Sequence, residues 1–334
     1  KTTATLGGAW TRYEGNHFGK VIWASRVLTG LDTWYDLDAL KTDFNIYFKH
    51  QYSISHAWHL FYDLQYRHVN YDILGFRNNP SLLIRNRFDF FNPKAGISFI
   101  KKGWKGYLSY SVGNKEPNRD DFETGISQQP RPERLHDAEL GVEKRTVRYN
   151  WSAVLYYMNY TDQLVLTGKI NDVGAYTRTN IPESYRTGIE LQGAVQISDR
   201  LNTSANLALS RNKVKNFSEY IDDYDNGGQK VNTYPSADIA YSPAVVAGAG
   251  FHFLPVKNLE LSLLGKYVSK QYLDNTQNES RVLDPFWVQD FRVIYTLKRK
   301  DGSKNPLKEL TIIGQLNNFL NEKYEPNGYT FSYI

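Results

Sequence analysis

Between residues 184 and 211 apolar and polar side chains alternate with period 2. Tyr185, Thr187, Ile189, Leu191, Gly193, Val195 and Ile197 fall on one parity, and Arg186, Gly188, Glu190, Gln192, Ala194 and Gln196 on the other. Ser198, Asp199 and Arg200 reverse the chain. Leu201, Thr203, Ala205, Leu207 and Leu209 then resume one parity against Asn202, Ser204, Asn206 and Ser210. Successive side chains of a strand point to opposite faces, so this pattern predicts a hairpin of two long strands. Both exceed the ~5–6 residues usual in globular sheets and suffice for the ~9–11 of a strand that crosses a bilayer.

The pattern recurs along the chain. A first strand ends near Tyr13, and a polar, aromatic loop follows to about Leu37. Residues 41–54 place Phe44, Ile46, Phe48, Tyr52 and Ile54 opposite Asp43, Asn45, Tyr47, Lys49 and Gln51. After a tight turn, Trp58, Leu60, Tyr62, Leu64 and Tyr66 oppose His59, Phe61, Asp63, Gln65 and Arg67, with a longer loop to about Arg87. Further strands are predicted around Ile97, Leu108, Leu140, Leu155, Phe251, Leu261, Phe291 and Ile313. Loops are predicted at 114–132, 168–183, 213–241 and 275–284, and tight or basic turns at 101–103, 144–148 and 255–258, with a longer turn at 298–309. The reading gives about 13 strands whose connections alternate short and long, as in outer-membrane barrels.

The cause of that architecture is the solvent. Hydrocarbon offers no water to backbone groups, so a spanning sheet must close on itself, with apolar residues toward lipid and polar ones allowed inside. The expectation is an all-β, antiparallel up-and-down transmembrane barrel. Ile189, Leu191, Val195, Ala205 and Leu207 are expected to face lipid. Glu190, Gln192, Asn202 and Asn206 are expected to face the lumen. A soluble antiparallel sheet with one wet face alternates too; strand length and loop asymmetry favour the barrel.

Composition narrows the field. No run among the 334 residues approaches the ~18–20 apolar residues of a transmembrane helix, which excludes a helical membrane protein but not a barrel. Aromatics reach 15%, suited to interfacial girdles and also to sugar-binding β proteins. Cysteine is absent, so neither disulfides nor thiol chemistry is available. The net charge of +5 is spread among 35 acids, a solvated surface rather than a nucleic-acid patch. The chain opens directly into an alternating run, which suggests a piece of something longer.

Several stretches together resemble the C-terminal barrel region of TonB-dependent outer-membrane receptors. They are YSVGNKEPNRDDFETG (110–125), RPERLHDAELGVE (131–143), NIPESYRTGIELQGAVQISDRL (180–201), SPAVVAGAGFHF, LLGKYVSKQYLDNT, FWVQDFRVIYTL and GQLNNFLNEKYEPNGYTFSYI. The last, with its Asn-Asn-Phe-Leu-Asn-Glu-Lys-Tyr run, is the most recognisable. The resemblance implies about 13 of 22 strands, one partial barrel domain over residues 1–334, and no plug domain or closing strand within the chain. It implies location in the bacterial outer membrane, among lipid and lipopolysaccharide. It also implies active import of a scarce small molecule, such as a ferric siderophore, haem or cobalamin, without a cofactor. TonB and its inner-membrane motor would be partners through an N-terminal segment. A passive porin or substrate channel is the alternative, and a barrel lipase or protease a further one.

Candidate chemistry is sparse. Lys115 and Arg119 lie where strand meets outside; they fit an anionic ligand, or a structural role in which they pair with Asp120, Asp121 or Glu123. Tyr220, Tyr224, Tyr234 and Tyr241 suit an outer binding vestibule, with an aromatic belt as the alternative for the last two. The acidic stretch 219–225 lacks the spacing and closing Glu of a calcium loop and reads as a solvated loop. His56 and His59 straddle a turn, a poor metal pair. His136 and Asp137 lack a serine in a nucleophile elbow, so no catalytic residue is assigned.

Overall fold

The computed structural model describes all residues except 24, 26–32, 125–128, 171–175, 299–306 and 331–334. Its strands are β1 (Thr2–Gly19), β2 (Tyr35–Ser53), β3 (Trp58–Leu74), β4 (Leu83–Lys101), β5 (Trp104–Lys115), β6 (Glu133–Arg145), β7 (Tyr149–Ile170) and β8 (Tyr176–Ser198). They continue as β9 (Leu201–Asp222), β10 (Gln229–Asp238), β11 (Val245–Val256), β12 (Leu259–Val268), β13 (Gln271–Tyr272), β14 (Val282–Leu283), β15 (Phe286–Lys298) and β16 (Glu309–Leu316). One antiparallel sheet runs β1 to β9 in order, then β11, β12, β15 and β16, which gives the 13 strands expected. β10 folds back on β9, and β13 pairs β14 as a separate small hairpin. The sheet is open, with β1 and β16 at its two edges.

Register carries the parity of each strand to its neighbours. Directly opposed residues share a face, so one apolar row crosses the sheet as Tyr52, Leu60, Ile97, Leu108, Leu140, Leu155, Ile189, Leu209 and Val245. A row on the opposite face reads Lys49, Asp63, Lys94, Ser111, Asp137, Met158, Arg186 and Asn212. We call the first face outer and the second inner. The outer face is apolar yet open: Leu108, Leu140 and Leu155 are all about half exposed. Charges bound its apolar belt. On β4 eleven residues (90–100) separate Asp89 from Lys101, and on β6 nine (135–143) separate Arg134 from Lys144. That is the ~9–11 residues of a bilayer crossing.

Many strands run on past the belt. β8 has 23 residues, more than twice the crossing length. The predicted loops to Leu37, to Arg87, at 168–183 and at 213–241 therefore contain strand: β1 runs to Gly19, β3 to Leu74, β8 starts at Tyr176, and β9 with β10 forms a hairpin over 201–238. Beyond the belt neither face must be uniformly apolar, so alternation lapses while the hydrogen-bond ladder continues. Positive φ at Asp162 and Asn216 further breaks the period there. The predicted loop at 275–284 is shorter than expected, its end pairing as β14. Most of the turn at 298–309, and Ile334, lie outside the described residues.

The two buried apolar clusters sit at the upper ends. Ile73, Phe76, Leu82, Ile84 and Phe122 form one cluster, and Ile181, Val214, Phe217, Ala237 and Ile239 another. At the lower ends the connections are tight. Lys102 and Gly103 join β4 to β5 with φ of 51° and 76°, the left-handed pair of a two-residue hairpin turn. A Cβ on Gly103 would sit 2.3 Å from the Arg145 carbonyl oxygen. Gly103→Val is therefore expected to cost about 2 kcal/mol or more through left-handed strain and this backbone clash. Chemical unfolding of the purified barrel measures it; an unchanged midpoint would contradict the turn geometry.

Candidate vestibule at the upper ends of the strands

The connection from β5 to β6 organises the upper end. Glu116 follows the last residue of β5 and is nearly buried. It accepts from Arg67 Nη1 and Nη2 at 2.7 and 2.8 Å and from Lys41 Nζ at 2.8 Å. Arg67 also holds Asp43 in a forked pair, Nε to Oδ2 at 3.0 Å and Nη2 to Oδ2 at 2.5 Å. Burial alone would push the Glu116 carboxyl up from its ordinary 4.5; the hydrogen bonds from Arg67 and Lys41 outweigh it and hold it at about 2. Burying such charges is tolerable because each has partners on more than one side.

After Pro117 the chain makes a 3-10 turn, Arg119–Thr124. Asp121 starts it by accepting from the Asn118 backbone N at 2.7 Å. The same carboxylate takes a forked pair from Arg178, both bonds 2.7 Å, and is 2% exposed. Phe122 inserts into the first apolar cluster. Lys41, Asp43, Arg67 and Arg178 are all inner-face positions, so the loop folds over the inner face. In a flat sheet β2 and β8 would stand six spacings apart, ~29 Å at ~4.8 Å each. Glu116 and Asp121 are five residues apart, ~18 Å at full stretch. The loop ties both because the sheet curves around it and long side chains close the distance.

The residues chosen from sequence fall into two groups. Lys115 is exposed, with Nζ 3.8 Å from Glu133 Oε2. Arg119 donates to the Gly75 carbonyl at 2.8 Å, lies 5.1 Å from the Phe76 ring centre, and its Nη1 has no hydrogen-bond partner among the described residues. Lys115 takes Glu133 and Arg119 hydrogen-bonds a backbone carbonyl, while Asp120 and Glu123 act on Arg119 as nearby opposite charges, so the structural alternative holds in part. Tyr220, Tyr224 and Tyr234 belong to the β9–β10 hairpin. Tyr220 has Lys169 Nζ 5.6 Å from its ring centre. Tyr224 is exposed beside the turn where Asp223 accepts from the Asn226 backbone N at 2.9 Å. Tyr234 donates to Glu219 at 2.9 Å, and Glu219 also receives Arg281 at 3.0 Å. The acidic stretch is thus the tip of a hairpin. Sequence reading missed Lys41, Glu116, Asp121, Arg178 and Arg281 as organisers of this end.

Catalytic geometry is not made by the groups weighed for it. His136 shares the outer face with Leu140 and meets the Tyr110 hydroxyl at 2.6 Å, whereas Asp137 lies on the inner row. His252, Glu260 and Ser262 do cluster on the inner face, but His252 Nδ1 meets both Glu260 (3.2 Å) and Ser262 (2.9 Å). A relay needs the acid and the hydroxyl on opposite ring nitrogens.

A long antiparallel sheet, an outer apolar belt of bilayer height and an inner polar face roofed by an ion-paired loop define a membrane barrel wall. A family model described as TonB dependent receptor-like, beta-barrel matches residues 1–319, and the chain belongs to that family, whose members are proteins of the bacterial outer membrane. Among solved structures it is similar to the ferric citrate transporter FecA in the unliganded form (TM-score 0.76, 14% identity, 99% of this chain and 48% of that one). It is similar also to the siderophore receptor PiuA from Acinetobacter baumannii (0.73, 17%, 97% and 49%) and to the copper transporter OprC (0.70, 11%, 96% and 48%). The chain spans about half the length of these structures. No curated protein matches the sequence.

The charge network has a pH signature. Because Glu116 is held below its ordinary 4.5, its contribution to stability is whole above that pH and is lost as pH falls toward about 2. Glu116→Gln should lower the melting temperature at pH 7, and the gap from the parent should close between pH 4.5 and 2. A gap constant across that range would show that the carboxylate is not held by Arg67 and Lys41.

Proposed function

We propose that this chain is part of the wall of an active outer-membrane importer that carries an iron complex inward, with energy supplied through TonB and its inner-membrane motor. The supporting observation is the division of the sheet into an outer apolar belt and an inner charged face whose upper end is roofed by the 116–124 loop. Such a wall confines a hydrophilic solute and anchors loops above it. The family, and neighbours named for ferric citrate and a siderophore, support an iron complex as cargo. In this reading Ile189, Leu191, Val195, Ala205 and Leu207 face lipid, and Glu190, Gln192, Asn202 and Asn206 face the lumen. Register pairs Leu191 with Leu207 and Gln192 with Asn206, so each set is continuous across β8 and β9. The turn at Ser198, Asp199 and Arg200 faces the periplasm. Lys115, Arg119, Tyr220, Tyr224 and Tyr234 border the vestibule, offering cations and rings to an anionic, aromatic-rich chelate. The protein moves its ligand without making or breaking covalent bonds.

Two outcomes check this. A strain lacking the full-length gene should lose growth on one iron chelate as sole iron source. Complementation should require an intact TonB; growth restored without TonB would mean a passive channel. Separately, Leu155→Lys should destabilise the folded barrel in bilayers by ~2–4 kcal/mol, and Val154→Lys, on the inner face beside Glu190, by less than about 1. Equal costs would remove the lipid-facing assignment.

A further inference from the structure

Two adjacent connections of the lower rim are rich in cations. The β4–β5 and β6–β7 connections bring together Lys101, Lys102, Lys144, Arg145 and Arg148. Neighbouring lower turns lack this excess: the β2–β3 turn carries Ser55, His56 and Ala57, and the β8–β9 turn balances Asp199 with Arg200. Among the described residues Arg145 is the one cation of this sector with a carboxylate partner, Glu143 at 3.1 Å, and both are inner-face positions. The lysines have no such compensation.

Register then orders the outer face. Lys101 opposes Trp104, Trp104 opposes Lys144, and Lys144 opposes Trp151, so cation and indole alternate across four strands in one row. The two indoles meet edge to face, with ring centres 5.7 Å apart. Lys144 Nζ lies 4.7 Å from the Trp104 ring centre and turns down to donate to the Lys102 carbonyl at 3.0 Å. Its stem thus covers the indole while the ammonium reaches the rim. Two positions further up each strand the row is Phe99, Gly106, Val142 and Ala153. Gly106 leaves a gap between Trp104 and Leu108, where a Cβ would meet nothing closer than the Gly141 carbonyl oxygen at 3.8 Å. The surface therefore presents uncompensated ammonium groups at the rim, indole N–H donors just above, and an apolar furrow with a glycine floor above those.

We propose that this patch binds an anionic glycerophospholipid of the periplasmic leaflet, with the phosphate between Lys101, Lys102 and Lys144 and an acyl chain along the furrow over Gly106. The chemistry follows depth: negative charge is favourable where the lysines end the apolar belt, esters suit indole donors, and hydrocarbon fits the furrow. The inference rests on the outer-membrane location and on the short turns facing the periplasm, and is independent of the cargo.

The test is native mass spectrometry of the full-length receptor released from mild detergent with phosphatidylglycerol or phosphatidylcholine of matched chains. The parent should retain phosphatidylglycerol with about tenfold preference. Lys101→Gln with Lys144→Gln should abolish the preference, the corresponding double Arg variant should keep it, and Lys257→Gln at another turn should leave it unchanged. If the double Gln variant does not fold, Lys101→Gln alone, at an exposed side chain, should still reduce it several-fold. Equal retention of the two lipids by the parent, or a preference undiminished in the Gln variants, overturns the proposal. So does a stronger preference for lipid A lost in the same variants, which would place the patch in the other leaflet. Failure of the parent receptor to import any iron chelate, with its lipid preference intact, would count against the import reading alone.

Discussion

Every backbone N–H and C=O inside hydrocarbon must find a partner on a neighbouring strand, because no water is there to take its place. That requirement fixes the register of the whole sheet, and register does the rest. Opposed residues share a face, so parity within one strand becomes a property of all of them. Leu108, Leu140, Leu155, Ile189 and Leu209 form a single apolar row, while Lys94, Asp137 and Arg186 stand in a single polar one. A one-residue slip anywhere would exchange the two. The half-exposed leucines, a liability on a soluble sheet, are what a lipid-facing wall requires.

Where the belt ends the constraint relaxes, and the upper ends use it differently. Strands continue as paired ribbons, and their inner side gains side-chain packing and ion pairs. Glu116 with Lys41 and Arg67, Asp121 with Arg178, and Glu219 with Arg281 join segments far apart in sequence. Such partly buried pairs add little net stability beyond an apolar equivalent, but breaking one leaves a stranded charge. Their effect is to fix the loop over the inner face. Arg119 and Tyr234, chosen from sequence as ligand contacts, each have a structural partner as well, Gly75 and Glu219. At the lower rim β4–β5 and β6–β7 are joined by turns of two and three residues, which is why charge there is compact enough to form a patch.

Legibility in the sequence followed the belt. Residues 184–211 read correctly as a hairpin because a bilayer demands uninterrupted period 2 over the crossing length, and the 13 strands along the main path of the sheet were countable for the same reason. The upper extensions were not, since β3 beyond Arg67 and β9 beyond Arg211 mix apolar and polar residues on both faces. The site was half legible. The loop with Lys115 and Arg119 stood out by its Pro, Asn and charges. Its partners did not, because Glu116 meets Arg67 49 residues away and Asp121 meets Arg178 57 away. Those separations are set by sheet curvature, which no local pattern encodes.

These 334 residues contain no cysteine, so in a full-length receptor with any cysteine elsewhere replaced, single cysteines placed here report on each face. Ile189→Cys, Glu190→Cys, Leu191→Cys and Gln192→Cys, placed one at a time in the full-length receptor in native membranes, would be labelled with lipid-soluble and with water-soluble maleimides. The account predicts strict alternation: positions 189 and 191 react with the lipid-soluble reagent and are protected from the other, and positions 190 and 192 do the reverse. Uniform labelling by the water-soluble reagent, or the opposite alternation, would contradict a wall whose outer face is the apolar row.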